Sequence, residues 1–247
     1  IESLLKDAKS VLAVGLNYYV KRERKKDSFY IARYAWGKDY HKVITKRLKT
    51  IGNWLSVQRP LSKWKICVDS SPLLEKAWAE EAGIGWIGKN TNLINKENGS
   101  WMVIGHLLST ELLTADEPSK PMCGQCDACV KACPTNAISE PFVINSNKCI
   151  AYHNIENKAK TLPPSITKEM SPWIVGCDIC QEVCPWNHTK LTSSRDPEMQ
   201  PREWILNLTE KKVMSWSEEN WQEKLKGSAL KRIKPWMWKR NAESITR

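Results

Sequence analysis

The sequence has no run of 18 or more apolar residues, which excludes an ordinary membrane-spanning helix. Residues 1–10 also lack the charged, apolar and small-residue succession of a secretory signal. A phosphate loop is missing as well. The glycines at 83, 85 and 88 fit neither G-x-G-x-x-G after a strand nor G-x4-G-K-[ST], and they suit backbone lying close against a flat ligand better. The first residue is Ile rather than Met, so the chain is expected to be truncated at its N-terminus. What is present is a 247-residue chain that is 41% hydrophobic, enough to bury a core and to exclude long disorder.

Charge of one sign is in excess and unevenly placed. The net charge is +11, which favours a polyanionic partner. Residues 1–65 carry 16 Lys and Arg against 5 Asp and Glu, whereas residues 66–120 carry 4 against 8. Residues 121–190 balance, and residues 201–247 return to 11 against 6, so a neutral middle is flanked by two cationic regions.

Apolar runs at 11–15 and 65–68 predict buried strands of an α/β layer. Between them, Tyr40, Val43, Ile44, Leu48, Ile51 and Leu55 recur at three- and four-residue spacing and predict a helix with Lys42, Lys46, Arg47 and Lys49 on its wet side. Ser71 and Pro72 read as N-cap and first residue of a second helix ending at Gly83. Residues 93–94 and 101–108 read as paired strands around a turn at 97–99. After a polar, proline-bearing linker at 115–121 cysteine dominates, and from residue 203 the chain reads as helical, with Lys and Arg clustered at 224–240.

Cys123, Cys126, Cys129 and Cys133 before Pro134 spell C-x2-C-x2-C-x3-C-P, and Cys177, Cys180 and Cys184 before Pro185 repeat its second half. In two-cluster ferredoxins the fourth cysteine of such a run ligates the other cluster. Cluster one is therefore expected on Cys123, Cys126, Cys129 and Cys184. Cluster two takes Cys133, Cys177 and Cys180, with Cys149 as the remaining sulfur in the region. A disulfide framework or a zinc site fits this spacing poorly, and Cys67 reads as a small buried hydrophobe. Two [4Fe-4S] clusters require a reducing compartment and make electron transfer the business of this region.

Three further strings precede the eight cysteines and complete the pattern in this order: Asp39-Tyr40-His41, Val68-Asp69-Ser70-Ser71-Pro72-Leu73-Leu74-Glu75 and Gly85-Trp86-Ile87-Gly88-Lys89-Asn90. Together they resemble the epoxyqueuosine reductase family from about residue 11 to residue 241. The resemblance implies a nitroreductase-like cobalamin-binding α/β domain at 1–118, a ferredoxin-like double [4Fe-4S] domain at 119–190, and a basic helical segment at 191–247. It implies an oxidoreductase that binds cobalamin (B12) and reduces epoxyqueuosine to queuosine at the wobble position of tRNA. The enzyme is expected to be a cytoplasmic monomer that takes electrons from an external donor.

Asp69, in the family's aspartate position, is the expected proton donor, unless it merely caps the turn before Pro72. To donate near neutrality it must rise well above about 3.9, which burial against a corrin is expected to achieve. Gly88, Lys89, Asn90, Thr91, Ser100 and Trp101 are the expected corrin wall, the alternative being a loop and strand that simply pack. Ile44 stands where a corrinoid D-x-H-x-x-G motif needs glycine, so His41 is expected to make a polar contact and not to bind cobalt. Residues 21–26 (K-R-E-R-K-K), with Arg33, Lys38, Lys42, Lys46 and residues 224–240, are candidates to line a groove for the anticodon stem-loop, with Trp36 as a stacking surface. A corrinoid enzyme with a small-molecule substrate and a bare ferredoxin-type carrier are the competing readings.

Overall fold

The computed structural model describes residues 1–188 and 191–246; the expected boundary after residue 190 and the terminal residue 247 lie outside it. In chain order the strands and helices of the first half are β1 (Ser10–Asn17), β2 (Tyr30–Ile31), α1 (Tyr40–Gln58), β3 (Trp64–Cys67), α2 (Glu75–Glu81), β4 (Trp86–Ile87), β5 (Leu93–Ile94) and β6 (Met102–Ser109). The apolar runs of β1 and β3 both pair antiparallel with β6, which lies between them.

Alternation along β6 assigns its two faces. Val103 and Leu107 meet Val43, Ile44 and Leu48 of α1, while Met102 and Ile104 face Ala79 of α2. Burying each of the large α1 side chains contributes about 1.5–3 kcal/mol. At Gly105 a Cβ would stand 2.4 Å from Ile44 Cγ2, so glycine is what lets α1 approach the sheet this closely. Cys67 is fully buried in β3, as expected of a structural thiol.

Two local expectations are corrected. Leu93 and Ile94 do not pair with the long strand; they pair with Trp86 and Ile87, and only the Asn95–Gly99 bridge closes the turn. The second helix starts at Glu75, not at Ser71–Pro72, and Leu74 at its N-cap supplies no side-chain acceptor. The preceding segment is instead spent on a tight turn that begins at Asp69, whose φ of 57° is left-handed and unusual for a residue with a Cβ.

The second half contains α3 (Ala128–Ala132), the β7–β8 hairpin (Ile138–Glu140 and Val143–Ile144), α4 (Ile150–Ile155), α5 (Pro164–Met170), β9 (Trp173–Val175) and α6 (Ile179–Glu182). It is stitched to the first half by parallel pairing of β2 with β9. The tail folds as α7 (Glu203–Leu206), α8 (Glu210–Ser215), α9 (Glu218–Leu225) and α10 (Pro235–Thr246). Trp221 and Trp238 stack at 4.9 Å and belong to one core with Trp36, Ile31 and Val175, so the tail is packed against both halves. Trp36, expected at a stacking surface, is 1% exposed and donates from Nε1 to the Ile31 carbonyl; it is core.

Candidate active site and cluster-binding cysteines

The structure sorts the cysteines into two groups. Cys123, Cys126, Cys129 and Cys184 line one cavity of about 390 Å³, with Cys126 exposed and Cys184 buried. The Cys177 thiol lies in the electrostatic field of Cys149 and Cys133, and Cys180 in that of Cys177 and Cys149. Cys184 thus joins the run at 123–129 from far along the chain, while Cys180 also lies in the field of Cys129. Burial pushes the Cys177 thiol up to about 12 and Cys180 higher still, so these sulfurs become thiolates only beside a cationic metal. Among the described residues no three His, Cys, Asp or Glu side chains converge on a single ion. The Cys133 sulfur accepts from the Ala137 amide at 3.2 Å, the kind of N–H···S contact that supports a cluster thiolate.

Beside the second group lies a cavity of about 650 Å³. Its apolar walls include Leu73, Ile87, Leu93 and Ile104, and its polar positions include Asp69, Lys76, Ser100 and Gln181. Gln181 follows Cys180 directly; its Oε1 accepts from Ser100 Oγ at 2.9 Å and from the Tyr18 hydroxyl at 3.4 Å. Asn187 locks the same corner by accepting the Ser100 amide at 2.8 Å. Lys76 donates to the Thr91 carbonyl at 2.7 Å, and burial holds its ammonium below the usual lysine value.

Asp69 hangs at the end of β3 over this cavity. Its Oδ2 accepts from His41 Nε2 at 2.9 Å and from the Tyr40 hydroxyl at 3.1 Å, while His41 Nδ1 meets Asp39 Oδ1 at 2.7 Å. An imidazole with a carboxylate on each nitrogen satisfies both only as imidazolium. Accordingly the hydrogen bond to Asp69 raises His41, and the hydrogen bond from His41 lowers Asp69. The Asp69 side chain is 47% exposed, and the hydrogen bond from His41 outweighs desolvation and holds its carboxyl below the ordinary value. The Asp69 amide donates to Glu75 Oε1 at 2.7 Å, and Glu75 in turn lies 3.8 Å from the buried His106.

The residues expected at the corrin wall are spread over three places. Asp69 and Ser100 line the 650 Å³ cavity. Lys89 and Asn90 line the cysteine cavity; the Lys89 ammonium donates to the Gly124 carbonyl, and the Asn90 amide donates to the Cys180 carbonyl. Gly88 and Thr91 form the turn between β4 and β5, and Trp101 is 2% exposed in the sheet core. Tyr40, Lys76 and Gln181 were not anticipated at the cavity. A lysine and a glutamine without a motif carry no signal of their own, although Gln181 adjoins a cluster cysteine.

The basic run at 21–26 is also divided. Lys21, Arg22, Lys25 and Lys26 border the outside, whereas Arg24 turns inward with 8% of its side chain exposed. Its guanidinium meets Asp178 at 3.4 Å and Glu182 at 3.1 Å and lies over the rings of Tyr30, Trp36 and Trp173. Arg33 donates its amide to Asp178 at 2.8 Å and covers Trp36 and Trp101. Burial nevertheless pushes the Asp178 carboxyl up to about 6. Because Asp178 lies between Cys177 and α6, this network fixes the loop of the second cysteine group. Arg24→Met is expected to cost about 3–5 kcal/mol, since it strands a buried carboxylate. Guanidinium unfolding of the cluster-loaded protein would measure this, and an unchanged midpoint would show that Asp178 is satisfied without Arg24.

Comparison with known proteins identifies the family. The profile described as "Epoxyqueuosine reductase QueG, DUF1730" matches residues 1–70, and a "4Fe-4S double cluster binding domain" matches residues 122–187. The epoxyqueuosine reductase of Prochlorococcus marinus (strain NATL2A) is 60% identical over all of this chain and 79% of its own length. That of Synechocystis sp. is 48% identical over 99% of this chain and 85% of its own. A crystal structure of epoxyqueuosine reductase with an epoxyqueuosine-modified tRNA-Tyr stem loop superposes with a TM-score of 0.93 at 30% identity, covering 99% of this chain and 66% of the other. No helix among the described residues is long and apolar enough to cross a membrane.

Proposed function

This chain belongs to the epoxyqueuosine reductase family, and on that premise we propose how its residues bring about the reduction of epoxyqueuosine to queuosine at the wobble position of tRNA. The reaction consumes two electrons and two protons and releases the epoxide oxygen as water. We assign residues 1–118 to a nitroreductase-like cobalamin-binding unit, 119–190 to the double-cluster unit and 191–247 to a basic helical segment. We place the enzyme in the cytoplasm as a monomer served by an external electron donor.

The observation that carries the reading is the shared wall of the 650 Å³ cavity, which holds Asp69 at one place and Gln181, next to Cys180, at another. A proton-handling carboxylate and a cluster loop therefore face one space. Its apolar walls suit the flat face of a corrin, and Lys76, Ser100, Asn92 and Gln181 suit the amide side chains around its rim. When bound, the two clusters and the cobalamin supply electrons one at a time and a reduced cobalt centre.

The remaining work belongs to the chain. Asp39 keeps His41 protonated and oriented, His41 supplies the proton through Nε2, and Asp69 hands it to the leaving oxygen. Tyr40 fixes the carboxylate by donating to the same Oδ2. Anaerobic metal analysis of one sample should give about eight iron and one cobalt per chain after cobalamin reconstitution. The same sample should convert epoxyqueuosine in tRNA. Iron for one cluster only, or no cobalt retention, would overturn the reading.

A further inference from the structure

Asp69 opens a segment that has little of its own to hold it. Residues 69–74 run from the end of β3 to the start of α2, and Leu74 is 79% exposed. The backbone hydrogen bonds here are short in range: the Ser70 amide donates to the Val68 carbonyl, Leu73 to Ser71 and Glu75 to Leu73. Each spans only two residues. A φ of 57° at a residue with a Cβ adds a cost of about 1–3 kcal/mol, so this turn persists only under restraint from outside it.

One restraint is the Asp69 carboxyl itself, held by Tyr40 and His41. That tie loosens whenever the carboxyl turns to a substrate oxygen. The second restraint survives such a turn, because it grips the backbone: the Asp69 amide donates to Glu75 Oε1 at 2.7 Å, across six residues. Glu75 is well placed to grip. It begins α2, which packs on β6 through Ala79, and its side chain is only 14% exposed. Close by is His106, which shares the Met102 and Ile104 face of β6, is fully buried, and has no hydrogen-bond partner on either ring nitrogen among the described residues. Its Nδ1 lies 3.8 Å from Glu75 Oε1, and an unmet ring nitrogen this close favours keeping the carboxylate where it is.

We propose that Glu75 is a positioning residue for the proton donor: its side chain holds the Asp69 amide and so fixes the left-handed turn that aims the carboxyl at the 650 Å³ cavity. No proton passes over Glu75 in this role. The inference rests on the reading that Asp69 delivers the proton. Its rival is a first-turn acid that serves only the dipole of α2. Glu75 also lines the cavity, so cobalt retention in its variants separates a latch from a direct contact with the corrin.

The test uses the enzyme loaded with clusters and cobalamin, in single turnover on an anticodon stem-loop carrying epoxyqueuosine. Glu75→Ala should slow reduction about tenfold, the effect of one lost hydrogen bond to a charged group, with stem-loop affinity, iron and cobalt unchanged. Glu75→Gln keeps an acceptor for the Asp69 amide and should restore the rate. Glu75→Asp keeps the charge but draws it back by one methylene, and should behave as Glu75→Ala; a dipole acid predicts the reverse order. Hydrogen exchange on the same loaded proteins reads the turn without turnover. Exchange at 68–75 should quicken about tenfold in Glu75→Ala and Glu75→Asp but not in Glu75→Gln, with 76–81 unchanged. In an Asp69→Asn background Glu75→Ala should slow the rate no further, because it acts through that carboxyl. A wild-type rate in Glu75→Ala, rescue by Asp and not by Gln, cobalt loss, or faster exchange confined to α2 would overturn the assignment. A wild-type rate in Asp69→Asn would instead overturn the proton-donor reading, and exchange at 68–75 would still decide whether Glu75 holds the turn.

Discussion

Asp69→Asn is expected to lower the rate of epoxyqueuosine reduction by about 10²–10⁴-fold, the usual worth of a positioned proton donor, while iron, cobalt and tRNA binding stay unchanged. The amide can still accept from Tyr40 and His41, so the turn should hold its shape. What it cannot do is carry a proton from His41 to an oxygen atom. The pH dependence follows from the same pair. His41 is raised by its two carboxylates, so the loaded form is full at low pH and is lost as pH rises through that raised value. The rate should therefore fall on the alkaline side, at a pH above the ordinary histidine value of 6.5. His41→Asn should remove that limb and retain the clusters. A normal single-turnover rate in Asp69→Asn would show that the proton comes from elsewhere.

The second large effect concerns which sulfur serves which cluster. Cys184 is far from Cys123, Cys126 and Cys129 in sequence but shares their cavity, and Cys133 follows that run directly but lies in the electrostatic field of Cys177. Cys184→Ser should therefore empty the surface cluster, and Cys133→Ser the one beside the 650 Å³ cavity. Each should lower iron from about eight to about four per chain and abolish turnover. The two variants should leave different residual spectra by electron paramagnetic resonance under reducing conditions. Identical residual spectra would mean that the sets are not exchanged.

The sequence announced some of this and hid the rest for physical reasons. The α1 helix was legible because Val43, Ile44 and Leu48 repeat at the helical period and α1 buries one face. The double-cluster signature was legible because cluster geometry fixes short spacings. The pairing of β5 was not, since two residues, Leu93 and Ile94, have too little alternation to choose between β4 and β6. Nor was the fate of Arg24. In the run K-R-E-R-K-K it is indistinguishable from its neighbours, and only Asp178, Glu182 and three aromatic rings, 6 to 158 residues away in sequence, draw it inside. Trp36 was misjudged likewise, because an indole buries as readily as it stacks. His41 was read as a polar contact, but its link to Asp69 depends on a left-handed turn that no local pattern announces.

The parallel register of Tyr30 with Trp173 and Ile31 with Val175 bears on how such an enzyme can be built. A strand drawn from ahead of α1 completes a strand that lies between the cysteine runs, so the two units named from sequence are not interchangeable cassettes. Severing the linker at 115–121 would leave the fragments interlocked, and transplanting the cysteine-rich unit alone would bare the backbone edge of β9. Inheritance of the pair as a whole is the arrangement that this weave enforces.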